Sequence, residues 1–169
     1  MAGPGQSATD EIEIYEAVIT RLVEVEGLSR GNVFLSAEAV YLGGDYPGDL
    51  YVEVVPGAGV DDPANAPHGV IEDTIRVVIF RRLLVDMPEQ DTQRIMHRSH
   101  GVFVLVKKIH EIMQNCYLGG RLVLPLIAIR RSPNNVIPVN SDGWISIDRT
   151  YRCRYRIGFP DPQEVADGS

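Results

Sequence analysis

The most regular pattern in the chain is an alternation of apolar and polar residues from Trp144 to Phe159. One side of this stretch carries Ile145, Ile147, Tyr151, Cys153, Tyr155, Ile157 and Phe159, and the other carries Ser146, Asp148, Thr150, Arg152, Arg154 and Arg156. A period of two indicates a half-buried β-strand. Like charges two residues apart on one face repel each other unless an acidic group lies over them. We therefore expect the arginine side of this strand to meet a partner.

A second alternating stretch, from Ile71 to Val85, predicts a strand near the centre of the sheet. Its two faces carry Ile75, Val77, Ile79 and Leu83 on one side and Thr74, Arg76, Val78, Phe80 and Arg82 on the other. Shorter strands are predicted at Leu50–Val55, which Pro56 ends, and at Leu122–Arg130, with an extended piece at Val136–Val139. The segment from Asn32 to Leu42 fits either a short strand and a turn or a strand throughout.

Two segments show the spacing of amphipathic helices. The first runs from Glu11 to Glu26, with Thr9 or Asp10 as its cap, Gly27 at its end and an apolar stripe of Ile12, Tyr15, Val18, Ile19, Leu22 and Val25. The second runs from Thr92 to Leu118 and is closed by Gly119 and Gly120, with an apolar stripe of Ile95, Val102, Leu105, Val106, Ile109, Ile112, Met113 and Cys116.

The order of these elements predicts one α+β domain over residues 1–169, a mainly antiparallel β-sheet packed against two helices on one face. Residues 1–9 are expected to be a flexible arm and residues 161–169 a flexible tail. Between Pro56 and Gly69 lies a long loop rich in Gly, Pro and Asp, which is expected to have no packed structure of its own. Such loops serve as binding arms or are flexible insertions, and the sequence leaves both open.

Charge is distributed unevenly along the chain. The net charge is −7, and residues 1–70 hold twelve acidic against two basic residues, whereas residues 71–169 hold eleven acidic against fourteen basic ones. This asymmetry fits self-association between an acidic surface of one copy and a basic surface of the next. Neutralisation of the two halves inside one monomer fits the count equally well.

Composition narrows the class of protein. With 44% hydrophobic residues the chain can build a real core, and no apolar run reaches the about 20 residues of a membrane-spanning helix. We expect no membrane partner. The first nine residues lack the pattern of a signal peptide, which favours a cytosolic origin.

No motif predicts catalysis, a metal or a cofactor. The stretch His110-Glu111 begins like a zinc-protease helix but lacks the second histidine, and His97 with His100 lacks further ligands. Cys116 and Cys153 are predicted to be reduced thiols in the core. No phosphate-binding glycine loop or nucleophile elbow occurs. The arginines allow at most non-specific DNA contact, because the isoelectric point is near 5.0 and only 7% of residues are aromatic.

The strand sequences LYVEVVPG, TIRVVIFRRLL and GWISIDRTYRCRYRIGF, with the helices between them, resemble the tail terminator (tail completion) proteins of tailed bacteriophages and their neck-protein relatives. The resemblance covers Glu11 to Phe159 and rests on the order of elements. It implies a structural virion protein, not an enzyme, that forms a homohexameric ring, terminates the tail tube and takes part in head-tail joining. The implied partners are other copies of the chain, the tail tube protein, the head-side connector or neck protein, and the sheath protein.

The implied location is the virion tail or neck, with assembly in the host cytoplasm and DNA passing through the channel. The loop from Pro56 to Gly69 takes the place of the arm that such proteins extend to their neighbours. From the charges, the predicted interface comprises Arg152, Arg154, Arg156, Arg130, Arg131, Asp61, Asp62, Asp45 and Asp49. The alternatives are another phage neck, baseplate or sheath-associated adaptor without catalysis, and a small enzyme of unrecognised type.

Overall fold

A computed structural model describes residues 11–37, 46–57, 60–61, 70–83, 95–99, 101–131, 135–139 and 142–156. The main elements of this part of the chain are two helices and seven strands. In chain order they are α1 (Glu11–Leu22), β1 (Val33–Leu35), β2 (Leu50–Pro56), β3 (Val60–Asp61), β4 (Val70–Leu83), α2 (Val102–Met113), β5 (Leu122–Arg131), β6 (Asn135–Val139) and β7 (Asp142–Arg156).

The strands form a single sheet in the order β1-β2-β4-β7-β5, with β3 beside β4 and β6 beside β7. Only the pairing of β1 with β2 is parallel. The centre of the sheet is the antiparallel pair β4 and β7, which stay in register from Val70 opposite Arg156 to Leu83 opposite Gly143. The predicted α+β class with a mainly antiparallel sheet, and the central place of β4, are confirmed.

Both helices pack on the same face of this sheet. Their apolar side chains join the inward residues of the strands in one core, whose fully buried members include Val18, Leu22, Ile109, Met113, Val52, Ile75, Ile147 and Tyr151. The alternation predicted for β4 and β7 is confirmed, because Ile75, Val77, Ile79, Ile145, Ile147, Tyr151, Cys153 and Tyr155 are all buried on this face. Burial of these apolar side chains of β4 and β7 is the main contribution to stability that the alternating sequence pattern predicts.

The segment from Thr92 to Leu118, predicted as one helix, is interrupted and ends early. In its described part Ile95 and Met96 are helical, residues 97–99 leave the helix, and α2 begins only after Gly101, whose backbone is extended (φ −68°, ψ 159°). A Cβ atom on Gly101 would lie 2.6 Å from the backbone nitrogen of His97, so only glycine fits this tight turn. At the other end Asn115 takes a left-handed conformation (φ 60°), and its N–H donates to the Leu126 carbonyl at the edge of β5.

The first helix also differs from its prediction in length and phase. It ends at Leu22, and a series of turns leads to Gly27, which has a φ of 91°. Ile14 is 1% exposed, whereas Ile12, which the predicted stripe placed inside, is 65% exposed. The reason is that Ile14, Tyr15, Val18 and Leu22 form a stripe that points at the sheet, and Ile12 lies on the other side of the helix.

An aromatic cluster covers one half of the opposite sheet face. Tyr51 stacks on Phe80 with a centroid distance of 4.6 Å, and Trp144 contacts Tyr51 edge-on at 5.3 Å. Phe34 and Tyr46 pack against this cluster from β1 and from the segment before β2. The guanidinium group of Arg82 lies 5.1 Å from the Trp144 ring. The sequence did not predict this second core. Among the described residues, the aromatic cluster leaves the other half of that sheet face uncovered.

Several predicted segments lie wholly or partly outside the described residues. The flexible arm at residues 1–9, the tail at 161–169 and most of the loop 56–69 belong to this group. Within that loop the prediction of no structure is wrong at one point, because Val60 and Asp61 pair with Glu72 and Ile71 of β4. For the ambiguous segment 32–42, the structure gives a strand of three residues, β1, followed by a bend.

Candidate assembly interface

The half of the sheet face that the aromatic cluster leaves open carries a group of arginines. Strands β4 and β7 set Glu72 directly opposite Arg154 and Thr74 directly opposite Arg152, and Thr150 faces Arg130 of β5. We call this surface the arginine face and define it by Glu72, Arg76, Arg130, Arg152, Arg154 and Arg156. None of these residues belongs to the core that the helices cover.

Within the arginine face one acidic residue neutralises part of the charge. The Glu72 carboxylate accepts a hydrogen bond from Nε of Arg154, and its second oxygen lies 4.0 Å from Nη1 of Arg152. Farther along, Nη2 of Arg76 donates to Asp148 at 2.7 Å. The arginines therefore receive part of their acidic partner from the same chain, as the monomer alternative predicts. These pairs remain partly exposed, and such pairs contribute only about 0 to 1 kcal/mol each.

A surplus of positive charge remains on the arginine face after these pairs are formed. Arg156 and Arg130 are exposed, and among the described residues no acidic side chain contacts either of them. Arg131, the next residue along β5, is not part of this face. It is the cross-strand partner of Arg149, and its guanidinium group lies 5.9 Å from the Phe103 ring on α2, which places it on the helix side.

Of the four acidic residues predicted for the interface, the structure describes two, and these lie near opposite ends of β4. Asp49 lies before β2, and its carboxylate is 3.3 Å from Nη2 of Arg81 in the same chain. Asp61 lies on β3, at the edge of β4. Asp45 and Asp62 lie outside the described residues. The interface assignment of these four residues stays a prediction.

The structure instead presents an acidic surface on α1 that the sequence reasoning did not assign to the interface. Ile12, Glu13 and Glu16 are exposed along one side of α1, and Glu11 is exposed at the first turn, above Tyr15. Glu13, Glu16 and Glu24 also line an open cleft of about 500 Å³ between α1 and residues 116–121. We call Ile12, Glu13 and Glu16 the acidic helix face. The sequence contains a signal for it, since three glutamates fall in the first two turns of the helix, where the helix dipole also favours acidic residues.

Beneath the start of α1 lies a small group of polar side chains. The Tyr155 hydroxyl donates to Oδ2 of Asp73 at 2.5 Å, and the Tyr15 hydroxyl donates to Oε1 of Glu11 at 3.3 Å. Burial and the nearby carboxylates raise the pKa of both phenols. Burial likewise raises the pKa of the Cys153 thiol to about 12, so this thiol stays protonated at neutral pH. The first hydrogen bond therefore joins β7 to β4, the second stabilises the first turn of α1, and the protonated thiol is not a nucleophile.

The described cysteine and histidine side chains that could take part in catalysis or bind a metal do not come together in one site. Both cysteines are free thiols, Cys153 buried and Cys116 half-buried. His97 accepts a hydrogen bond from the backbone N–H of Ser99, and His100 lies outside the described residues. Among the residues that the structure describes, no three His, Cys, Asp or Glu side chains come together as metal ligands. In the same part of the chain no helix has the length and apolar character needed to cross a membrane.

Comparison with known proteins gives a weak likeness of fold. No protein-family model matches the chain, and no curated protein matches its sequence. A chain of the solved structure of the virion of a native gene transfer agent (GTA) particle is similar to it, with 14% sequence identity and a TM-score of 0.41 over 83% of this chain and 92% of that chain. A TM-score this low leaves the function to be argued from the residues of the chain itself.

Proposed function

We propose that the chain is a structural virion protein that assembles head to tail into a ring, as a tail terminator does, and that it has no catalytic role. The observation that carries this proposal is the position of the two charged surfaces. The acidic helix face lies on α1, which covers one side of the sheet, and the arginine face lies on the other side of the sheet. A single chain cannot bring these surfaces together, whereas a head-to-tail repeat does so at every contact.

The charges of the two surfaces support the same contact. Glu13 and Glu16 have no ionic partner among the described residues, and neither do Arg130 and Arg156. Exposed Ile12 lies among the glutamates and exposed Leu124 lies on β5 opposite Arg154, so each surface also offers apolar area. In a closed ring both surfaces of every copy contact a neighbouring copy. In a monomer both surfaces are exposed to solvent.

The ring and its six subunits are what the resemblance to tail terminators implies, and a head-to-tail contact between the two surfaces is compatible with such a ring. The tail tube and the head-side connector are the proposed partners above and below the ring. The gene transfer agent chain comes from a virion particle, but its low TM-score gives no support for a specific role.

Complementary charge-reversal variants test the head-to-tail contact. Variant A replaces Arg152, Arg154 and Arg156 with Glu, and variant B replaces Glu13 and Glu16 with Lys. In each variant alone the contact joins like charges, so we expect assembly to be lost. In an equimolar mixture each reversed surface meets the reversed surface of the other variant, so we expect alternating rings with an even number of subunits.

Native mass spectrometry of A, B and the mixture, with and without tail tubes, is the measurement. Lys107→Glu on α2 is the matched control, because Lys107 is exposed, lies outside both surfaces and changes charge by the same amount per residue. Rising salt should weaken wild-type assembly, since about 0.1 M salt screens exposed charges beyond roughly 10 Å. Assembly of variant A as complete as that of wild type would show that the arginine face is not the contact.

A further inference from the structure

Two arginines stand directly opposite each other on the helix side of the sheet, away from the arginine face. Arg131 of β5 and Arg149 of β7 are cross-strand partners. The Arg149 Nη1 atom lies 3.4 Å from Nδ1 of His110, and the Arg131 guanidinium carbon lies 5.9 Å from the Phe103 ring centroid. Phe103 and His110 both belong to α2, so the half-buried Arg149 lies in the seam between α2 and the ends of β5 and β7, and the exposed Arg131 lies at its rim.

The polar groups of this seam have no acidic partner in the part of the chain that the structure describes. No carboxylate there contacts Arg131 or Arg149. Among the same residues, the buried Nε atom of Arg149 has no hydrogen-bond partner, and neither has the hydroxyl of Tyr151, a residue that is 0% exposed. Like charges directly opposite each other on neighbouring strands are destabilising, and a buried donor without a partner adds to the cost. The seam thus holds donors and positive charge in excess.

The histidine in the seam does not offset this charge. Its ring lies against the ring of Tyr151, with centroids 6.5 Å apart. Burial, and then the charge of Arg149, lower the pKa of His110, so the imidazole is neutral at neutral pH. A neutral imidazole can accept one hydrogen bond from Arg149 but brings no negative charge.

We propose that this seam is a binding site for a small oxyanion, a phosphate or a carboxylate group, held between the exposed guanidinium group of Arg131 and the Nη atoms of Arg149. The planar fork of arginine matches the oxygens of both groups. An anion placed between the two arginines would remove the repulsion between them. The site is separate from the arginine face, since Arg131 and Arg149 project from the other side of the sheet.

Binding of inorganic phosphate to the purified full chain tests the site. Calorimetric titration and thermal melting are run with sodium phosphate and, as the carboxylate arm, sodium acetate, each against sodium chloride at equal ionic strength. We expect phosphate or acetate to bind and to raise the melting temperature beyond the effect of chloride. The arm that binds more tightly identifies the source of the oxyanion.

Matched variants locate the site. Arg149→Gln and Arg131→Gln should each weaken binding about 10- to 100-fold, as expected for the loss of a hydrogen bond to a charged group. Arg130→Gln is the control, because Arg130 is the neighbour of Arg131 in sequence but lies on the arginine face, and it should bind as wild type does. The ring resonances of His110 in wild-type NMR spectra give a second measurement that needs no variant, and they should shift as phosphate is added.

The proposal is overturned by either of two results. One is that phosphate and acetate act on wild type no differently from chloride, with the His110 resonances unmoved. The other is that Arg130→Gln weakens binding as much as Arg149→Gln, because the anion would then be held by the general charge of the chain.

Discussion

Truncation of Ile14 to alanine is the sharpest test of how α1 packs on the sheet. The Ile14 side chain is 1% exposed, and its substitution removes every carbon beyond Cβ from the core. At about 0.8 kcal/mol for each buried methylene the transfer cost alone is about 2.4 kcal/mol. The cavity left behind brings the expected loss to about 3 kcal/mol, within the roughly 2 to 5 kcal/mol typical of such substitutions.

Ile12→Ala provides the matched control on the same helix. The same chemical change is made two residues away, at a side chain that is 65% exposed. No buried area is lost there, and alanine is the better helix former, so the free energy of unfolding should change by less than about 0.5 kcal/mol.

Urea unfolding followed by circular dichroism measures both variants, with an unchanged slope as the sign that the same surface unfolds. For a chain of this size about 3 kcal/mol corresponds to a melting temperature lower by roughly 6 to 12 °C. A loss below about 1 kcal/mol for Ile14→Ala, or equal losses for the two variants, would refute the helix phase described above. A larger loss for Ile12→Ala than for Ile14→Ala would instead favour the stripe that the sequence predicted, which contains Ile12 and not Ile14.

Three further outcomes follow from the polar groups of the core. Because the pKa of His110 is lowered in the folded chain, the unfolded chain takes up a proton near pH 6.5 and the folded chain does not. The free energy of unfolding should therefore fall as pH drops below about 6.5. In urea unfolding His110→Gln should show a weaker fall. Tyr155→Phe removes the hydrogen bond to Asp73 and should lower the free energy of unfolding by about 1 to 3 kcal/mol in the same assay, with no loss expected if that carboxylate is solvated instead. A thiol reagent at neutral pH should label Cys116 quickly and Cys153 only after unfolding, as counted by mass spectrometry; fast double labelling of the folded chain would contradict the buried thiol.

The parts of the fold that the sequence predicts best are those that depend on residues close together in the chain. The alternation in β4 and β7 assigns each side chain to a face, because a strand has a fixed period of two. The helices were located but their ends were misplaced. Apolar residues such as Ile95 and Cys116 continue the helical spacing past both ends of α2, and only the tight turn at Gly101 and the hydrogen bond of Asn115 to β5 show where it stops.

The charged surfaces were predicted less well, since they depend on which strands are neighbours. The alignment of Arg152, Arg154 and Arg156 follows from their spacing. That Glu72 lies opposite Arg154 depends on a pairing across more than eighty residues, which no local pattern contains. The same holds for the aromatic cluster around Tyr51.

The pairing of β4 with β7 also has a consequence for how the chain folds. The nearest paired residues of these strands, Leu83 and Gly143, enclose a long loop, and the pairing extends outward from there to Val70 and Arg156. Closing such a loop costs entropy before any contact between the two strands forms. Folding should therefore be slow compared with that of helical proteins of similar size. During synthesis on the ribosome, β4 remains unpaired with its central partner until β7 has been made.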